Sequence, residues 1–247
     1  MSGLLESAKD WLNVGLGFVY PEVCQICQEQ RAGPAECFLC QDCRAAVQWV
    51  ERPFCERCGL PYQGAITTTF ECANCQEREW HFNWARSAVL ARGNVLEVIH
   101  RYKYRRALWF EPFLAELLVK ASGPGLLEGK WDAIVPVPLH PIKEREREFN
   151  QAARLGKRLS AAAQIPLNTR ILRRVLPTRT QTLLNREDRL ANVNRAFALR
   201  KGARLNGERL LLVDDVFTTG ATTSACARVL CAGGADEVCV WTVARGI

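Results

Sequence analysis

No apolar run in this 247-residue chain approaches the roughly 18 residues that a membrane-spanning helix needs. The opening residues do not read as a secretory leader either. The opening residues, MSGLLESAKDWLNVGLGFVYP, are broken by Glu6, Lys9 and Asp10. They lack a basic start, an apolar run and a small-residue cleavage site. Both absences predict a cytoplasmic protein without a transmembrane segment, in which disulfides are disfavoured. Peripheral attachment to the inner face of a membrane stays open. The opening reads instead as a short amphipathic helix with Leu4, Leu5, Ala8, Trp11 and Leu12 on one face, suited to packing on the chain's own body. Apolar residues make up 48% and charged residues 24%, the balance of a soluble globular protein of one large or two smaller domains.

Acidic residues are scarce in one stretch. Between Asn168 and Arg209 there are eleven Arg and Lys against three acids, and the chain as a whole carries +7, so the remainder is close to neutral. Such a block is either a solvated surface or a place for phosphates or nucleic acid.

Cysteine is abundant. Nine of the twelve cysteines precede residue 76, and without a secretion signal they point to metal. Cys24-x-x-Cys27, Cys55-x-x-Cys58 and Cys72-x-x-Cys75 are isolated pairs, and Cys37-x-x-Cys40-x-x-Cys43 is an overlapping double pair. Two thiolates two residues apart turn back onto one ion, and two such knuckles complete a tetrahedral zinc site. Sequential pairing predicts one site from Cys24, Cys27, Cys40 and Cys43 and another from Cys55, Cys58, Cys72 and Cys75. Cys37 could replace Cys43, an interleaved pairing is also compatible, and an iron–sulfur cluster is the main alternative to zinc. All-thiolate sites leave no open position, so the metal is expected to be structural, and a segment this poor in apolar residues needs it to fold. Trp49, Phe54, Tyr62, Phe70 and Trp80 sit among these cysteines, either to stack on bases or to fill a thin core around the metal. Cys226, Cys231 and Cys239 stand singly and read as small buried hydrophobes.

The pattern changes near Trp80, which predicts a cysteine-rich module over 1–80 and a second domain over 81–247. In the latter, strands are expected at 85–91, 132–137, 209–213 and 237–243. Helices are expected at 94–103, 108–120, 141–163 (a long charged helix, with a loop conceivable at its start) and 222–232. Ser122–Gly129 reads as a loop, and 165–206 as Arg-rich and irregular. Alternating β and α elements predict an α/β fold, a mostly parallel sheet with helices on its faces. Ligands of such sheets bind beyond the carboxyl ends of the strands, where Asp214, Pro136 and Arg245 are expected.

At that end lies the run LLLVDDVFTTGATT, Leu210 to Thr223. An apolar strand meets two acids, Asp214 and Asp215, and then a turn of Thr218, Thr219, Gly220, Ala221 and Thr222 that opens a helix. Loop N–H groups and a helix start cradle an anion, and threonine hydroxyls add donors. The acids repel a phosphate but suit ribose hydroxyls or a metal-bound sugar. The implied ligand is a sugar carrying a phosphate.

The run Val213 to Gly220 resembles the phosphoribosyl diphosphate (PRPP) loop of type I phosphoribosyltransferases. Val135-Pro-Val-Pro-Leu-His140 followed by Arg147-Glu-Phe-Asn-Gln151 is similar to the VPVPLH…RGFNQ signature of the ComF family (ComFC and GntX type). Thr180-Gln181, Arg189, Asn192 and Ala196-Phe197 resemble its Q…R…N…AF segment, and Ile99 to Tyr104 its lysine-containing helix. The resemblance runs from about Tyr20 to Arg245. It implies a type I phosphoribosyltransferase fold with an N-terminal double zinc ribbon, two structural Zn²⁺, and PRPP bound with Mg²⁺. Asp214 and Asp215 would bind the ribose hydroxyls as the catalytic pair, and residues 218–222 would hold the 5-phosphate. Pro136 to His140 would face the diphosphate, with Lys103, Arg147 and Arg189 as contacts by charge and position. The family is tied to DNA uptake and use, which implies single-stranded DNA and other uptake proteins as partners. The acceptor is not legible, and Thr218 brings the loop closer to the orotate type than to the purine type. Glu148 stands where the family usually has Gly. If that glycine supplies positive φ, Glu148 changes the turn.

Overall fold

The computed structural model describes residues 22–62, 64, 70–176 and 195–247. The proposed N-terminal helix, and Thr180, Gln181, Arg189 and Asn192, lie outside them. The chain forms two compact units, one ending at Val47 and the other running from Gln48 to Ile247.

In the first unit an antiparallel bridge, Val23 with Arg31, brackets the Cys24–Cys27 turn. A short helix, α1 (Gln41–Ala45), starts at Cys40, whose Sγ accepts from the Cys43 backbone N–H. The second unit opens on the same design. The bridge Phe54–Pro61 brackets Cys55–Cys58, and α2 (Ala73–Gln76) starts at Cys72.

The rest of the second unit is a parallel sheet of β1 (Ala85–Leu90), β2 (Ala133–Pro136), β5 (Arg209–Phe217) and β6 (Glu237–Arg245), in the order β1-β6-β5-β2. Its strands are buried along nearly their whole length and rich in Val, Leu and Ile, as a sheet covered on both faces requires. Side chains alternate between the faces. Leu210 and Leu212 join Val135, Val240, Cys226 and Leu230 in the core on one side. That side holds α7 (Ala221–Ala232) and the antiparallel hairpin of β3 (Leu172–Arg174) and β4 (Phe197–Leu199). The four cysteines of the second knuckle pair, with Phe82, belong to this core too. Against the sheet also pack α4 (Glu111–Glu128) and α6 (Gln151–Ala163), which touch each other; α3 (Gly93–Tyr104) precedes them in the chain.

Three expectations are corrected. Ser122–Gly129 is not a loop but the end of α4, where the Ser122 hydroxyl donates to the Leu118 carbonyl at 2.7 Å and Leu126 is buried. Tertiary burial there outweighs the weak helix propensity of two glycines, about 1 kcal/mol each. The charged helix over 141–163 is two helices, α5 (Pro141–Arg147) and α6, separated by Glu148 in the left-handed region at φ 69° and restarted by the Asn150 cap on Ala153 N–H. The strand with the acid pair runs on to Phe217, so the acids lie inside β5 and not at its end. No described helix is long and apolar enough to cross a membrane.

Candidate functional site

The cysteines pair sequentially. Cys24, Cys27, Cys40 and Cys43 converge in one cluster and Cys55, Cys58, Cys72 and Cys75 in the other, all sulfurs of a cluster lying within 4.8 Å of one another. The sulfurs of Cys27 and Cys40 are 3.8 Å apart, and those of Cys55 and Cys75, and of Cys58 and Cys72, 3.7 Å. A tetrahedron with Zn–S bonds of about 2.3 Å has an edge of about 3.8 Å, so both clusters fit zinc. Backbone N–H groups point at the sulfurs, as thiolates require: Cys43 at Cys40, and Cys72 at Cys55. Cys37 stays outside both sets. Cys226 and Cys239 are buried as expected, whereas Cys231 is exposed, its position falling on the outer side of α7.

Of the aromatics among the cysteines, Tyr62 and Phe70 meet edge to face at 4.5 Å beside the second cluster, and Trp80 packs on Phe82. These three form the thin core around the metal site.

The acid pair lies at the carboxyl end of the sheet in a hollow of about 460 Å³. Lys103 and Tyr104 of α3, His140, Lys143 and Arg147 around α5, Arg174 of β3, and Thr218 and Thr222 of the loop share its lining with Asp214 and Asp215. Each acid accepts the next residue's backbone N–H through Oδ1, Asp215 N–H to Asp214 and Val216 N–H to Asp215, both at 2.9 Å. Their other oxygens are left for other partners. Lys103 Nζ pairs with Asp215 Oδ2 at 2.6 Å. Burial pushes Asp214 up to about 6, opposed by the charges of Lys103, Arg174 and Arg147. Burial brings Lys103 down to about 8, against the pull of Asp214 and with the repulsion of Arg147. Three cations thus surround two carboxylates, an arrangement for a ligand that carries both anionic groups and hydroxyls.

The loop beyond β5 is shaped by Gly220, the N-cap of α7, at φ 73°. A Cβ there would lie 2.5 Å from the Phe217 ring and 2.7 Å from Trp80, so both conformation and space demand glycine. Thr223 Oγ1 donates back to the Gly220 carbonyl at 3.0 Å. Thr219, Gly220 and Ala221 supply the backbone of the turn, and α7 is long enough, at 12 residues, for its N-terminus to favour an anion.

The VPVPLH segment leaves β2 beside the acids. Val137 N–H bonds Val213 O at 2.9 Å, and Asn150 Nδ2 donates to Val137 O at 3.1 Å. His140 caps α5 by accepting the Ile142 N–H at Nδ1. Arg147 is held by Gln151 Oε1 at 2.9 Å and lies over the Tyr104 ring. Glu148 turns its carboxylate away to Arg106 at 2.7 Å. Of the residues expected at the site, Asp214, Asp215, Thr218, Thr222, Lys103 and Arg147 come together, and Arg189 is outside the described residues. Sequence reasoning missed Arg174, Lys143 and Gln151. Arg174 stood in the basic stretch with nothing to single it out, while Gln151 closes the motif around Arg147 and could have been found there.

A family model described as a double zinc ribbon domain matches residues 15–78. Competence protein F of Haemophilus influenzae is 32% identical over 215 residues, covering 84% of this chain and 90% of that protein. DNA utilization protein YhgH of Escherichia coli K12 is 29% identical over 234 residues, 91% of this chain and 97% of its own. Among solved structures, adenine phosphoribosyltransferase from Leishmania tarentolae matches 56% of this chain and 58% of its own at 17% identity and a TM-score of 0.35. A score that low adds no argument, and the fold rests on the strand order and the placement of the acid pair. At the identity and coverage shared with the Haemophilus protein, the chain belongs to the competence protein F (ComF) family.

Proposed function

We propose that this chain is a phosphoribosyltransferase-like protein that binds PRPP with Mg²⁺ in the acid-pair hollow and serves the uptake or use of DNA. One observation carries the reading: two carboxylates, the turn at a helix N-terminus, and Lys103, Arg147 and Arg174 line a single hollow. The 5-phosphate takes the N–H groups and hydroxyls of residues 218–222. The ribose 2′ and 3′ hydroxyls donate to Asp214 and Asp215, and the diphosphate lies toward Pro136–His140, Lys143 and Arg147. Mg²⁺ would be held by substrate oxygens, water and the acid pair, and would neutralise charge on the diphosphate. In a transfer, a nucleophile bonds to C1 of the ribose as the C1–O bond to diphosphate breaks, and the bond's electron pair leaves with the diphosphate. Arg147, Lys103 and Arg174 stabilise that departing charge. The names of the relatives, competence and DNA utilization, support the cellular role. The test is calorimetric titration of zinc-loaded protein with PRPP, with and without Mg²⁺. Saturable, Mg²⁺-dependent binding supports the reading, and no heat at millimolar PRPP sinks it.

A second reading, a non-catalytic module that holds single-stranded DNA, is favoured by a different hollow. It is larger, about 740 Å³, and is lined by Trp49, Phe54 and Trp84 with Arg52, Arg86 and Lys120. It contains neither the acid pair nor the loop, so size alone does not make it the phosphoribosyl site. Lys120 lies 4.8 Å over Trp49 and Arg86 4.6 Å over Phe54. Aromatic faces and cations together are what a single strand needs. Oligothymidylate binding measured by anisotropy should weaken with salt with a log–log slope of about −0.7 per phosphate neutralised. Binding that Trp49→Ala with Lys120→Ala leaves unchanged would reject this hollow.

A further inference from the structure

Beneath the phosphate loop lies a buried arginine with partners in two sites. Arg245, the last residue of β6, is 6% exposed. Its Nη1 donates to the carbonyls of Phe217 at 3.0 Å, Thr218 at 2.6 Å and Gly246 at 2.9 Å. Its Nη2 faces Cys58 Sγ at 3.9 Å, and the guanidinium covers the Phe217 ring at 4.6 Å. Among the described residues no carboxylate pairs with Arg245. Four thiolates on Zn²⁺ carry a net charge of about −2, and a buried dianion calls for a nearby cation and N–H donors to its sulfurs. Arg245 supplies both to the second cluster while its other nitrogen holds the loop.

Three more struts run from the same ribbon. Trp80, five residues past Cys75, fills the space over Gly220 and lies 6.4 Å from the Phe217 ring, centroid to centroid. Arg78 Nη1 donates to Thr219 O at 3.3 Å, and His81 N–H to Ser224 Oγ at 3.3 Å. The carbonyls of Phe217, Thr218 and Thr219 are therefore all held by guanidinium groups. In a trans peptide the N–H points opposite to its C=O. Holding these three carbonyls turns the N–H groups of Thr218, Thr219 and Gly220 the other way, so they can meet an anion.

We propose that Arg245 is a positioning residue that couples the Cys55/Cys58/Cys72/Cys75 metal site to the phosphate loop. Zinc at that site keeps the loop in the form that receives a sugar phosphate, and a bound sugar phosphate keeps the zinc. The second half is implied by the first, because coupling between two binding sites is reciprocal. The proposal rests on the phosphoribosyl reading only for the identity of the ligand.

The test compares the full chain, loaded with zinc, with Arg245→Met and Arg245→Lys. In Arg245→Met, hydrogen exchange in peptides covering 217–224 should rise about tenfold, while zinc content and exchange over 24–43 stay as in the parent. PRPP affinity should fall by a similar factor, and Arg245→Lys, which keeps the charge but not the fork, should recover part of it. If Arg245→Met does not fold, the parent suffices: PRPP should slow transfer of one zinc of two to a chromophoric chelator about tenfold. PRPP binding that leaves both zinc transfers unchanged, or that is as tight in Arg245→Met as in the parent, overturns the coupling and leaves the phosphoribosyl reading standing. If PRPP does not bind the parent, that reading falls and loop exchange decides alone. Faster exchange over 217–224 after zinc removal sustains the coupling, and unchanged exchange ends it.

Discussion

The two cysteine clusters share ligand type, spacing and a short helix that starts at the third cysteine, yet the chain uses them differently. The first belongs to a unit that ends at Val47. The second is part of the core of the parallel sheet: its four cysteines pack with Phe82, Phe217 and Val240, and its flanking Arg78 and Trp80 reach Thr219 and Gly220 in the turn after β5. The same set of four cysteines thus belongs to a small unit of its own in one place and to the core of the sheet, behind the turn that follows β5, in the other. The difference lies in the residues beyond the last cysteine. In the second cluster the chain continues through Trp80 and Phe82 directly into β1.

The largest effect should come from breaking one cluster at a time. Cys72→Ser is expected to lose one zinc, the cooperative thermal transition of the sheet domain and all PRPP binding, since structural zinc supplies on the order of 10 kcal/mol to such a site. Cys40→Ser should also lose one zinc but keep PRPP affinity. Metal analysis, calorimetric melting and PRPP titration read the contrast, and equal losses of binding in the two variants would erase it.

Next in size, Asp214→Asn with Asp215→Asn should leave both zincs in place and reduce PRPP affinity about a thousandfold, two charge-assisted hydrogen bonds being worth about 4 kcal/mol. Unimpaired binding would show that the acids do not meet the ribose.

A smaller effect is expected from pH. Asp214 sits at about 6, above its ordinary 3.8, so between those values the folded protein holds a proton that the unfolded chain has lost. Its contribution to stability therefore declines as pH rises through that window, while affinity for Mg²⁺-PRPP, which needs the carboxylate, rises and levels off above about 6. Lys103 sits at about 8, below its ordinary 10.5, so the folded protein has lost a proton there that the unfolded chain keeps. Stability from this group rises between those values, and affinity for the anionic ligand falls above about 8. Titrations across this range should give a maximum between the two, and a flat profile would remove both groups from the binding step.

The smallest change should come from Glu148→Gly. Relief of a left-handed residue stabilises by roughly 1 kcal/mol, offset by the loss of an exposed Arg106 pair worth less than about 1 kcal/mol. Both zincs should be retained, and the melting temperature should rise by a few degrees or less. A clear drop would mean that the Arg106 contact holds α5 in place.

Much of the fold could be read from local pattern. The apolar runs at 132–137, 209–213 and 237–243 are strands because only burial on both faces suits such runs, and the Thr-Gly turn follows the carboxyl end of β5, although the strand runs on past Asp214 and Asp215 to Phe217. The limits of the helices were less legible. Ser122 to Gly129 read as a loop, whereas α4 continues to Glu128 with Ser122 bonded to Leu118 and with Ser122 and Leu126 buried. Nothing within 141–163 marked Glu148 as left-handed except the comparison with a glycine at that place.

The sequence by itself determined the cysteine knuckles, the Thr-Gly turn and the acid pair, because each rests on residues within a few positions of one another, where spacing dictates geometry. Only the tertiary structure decided that cysteines pair sequentially, that Arg174 and Lys103 flank Asp214 and Asp215, and that Arg245 spans Cys58 and the loop. Those contacts join residues as far apart as Cys58 and Arg245, and their energetics depend on burial, which short-range pattern does not carry.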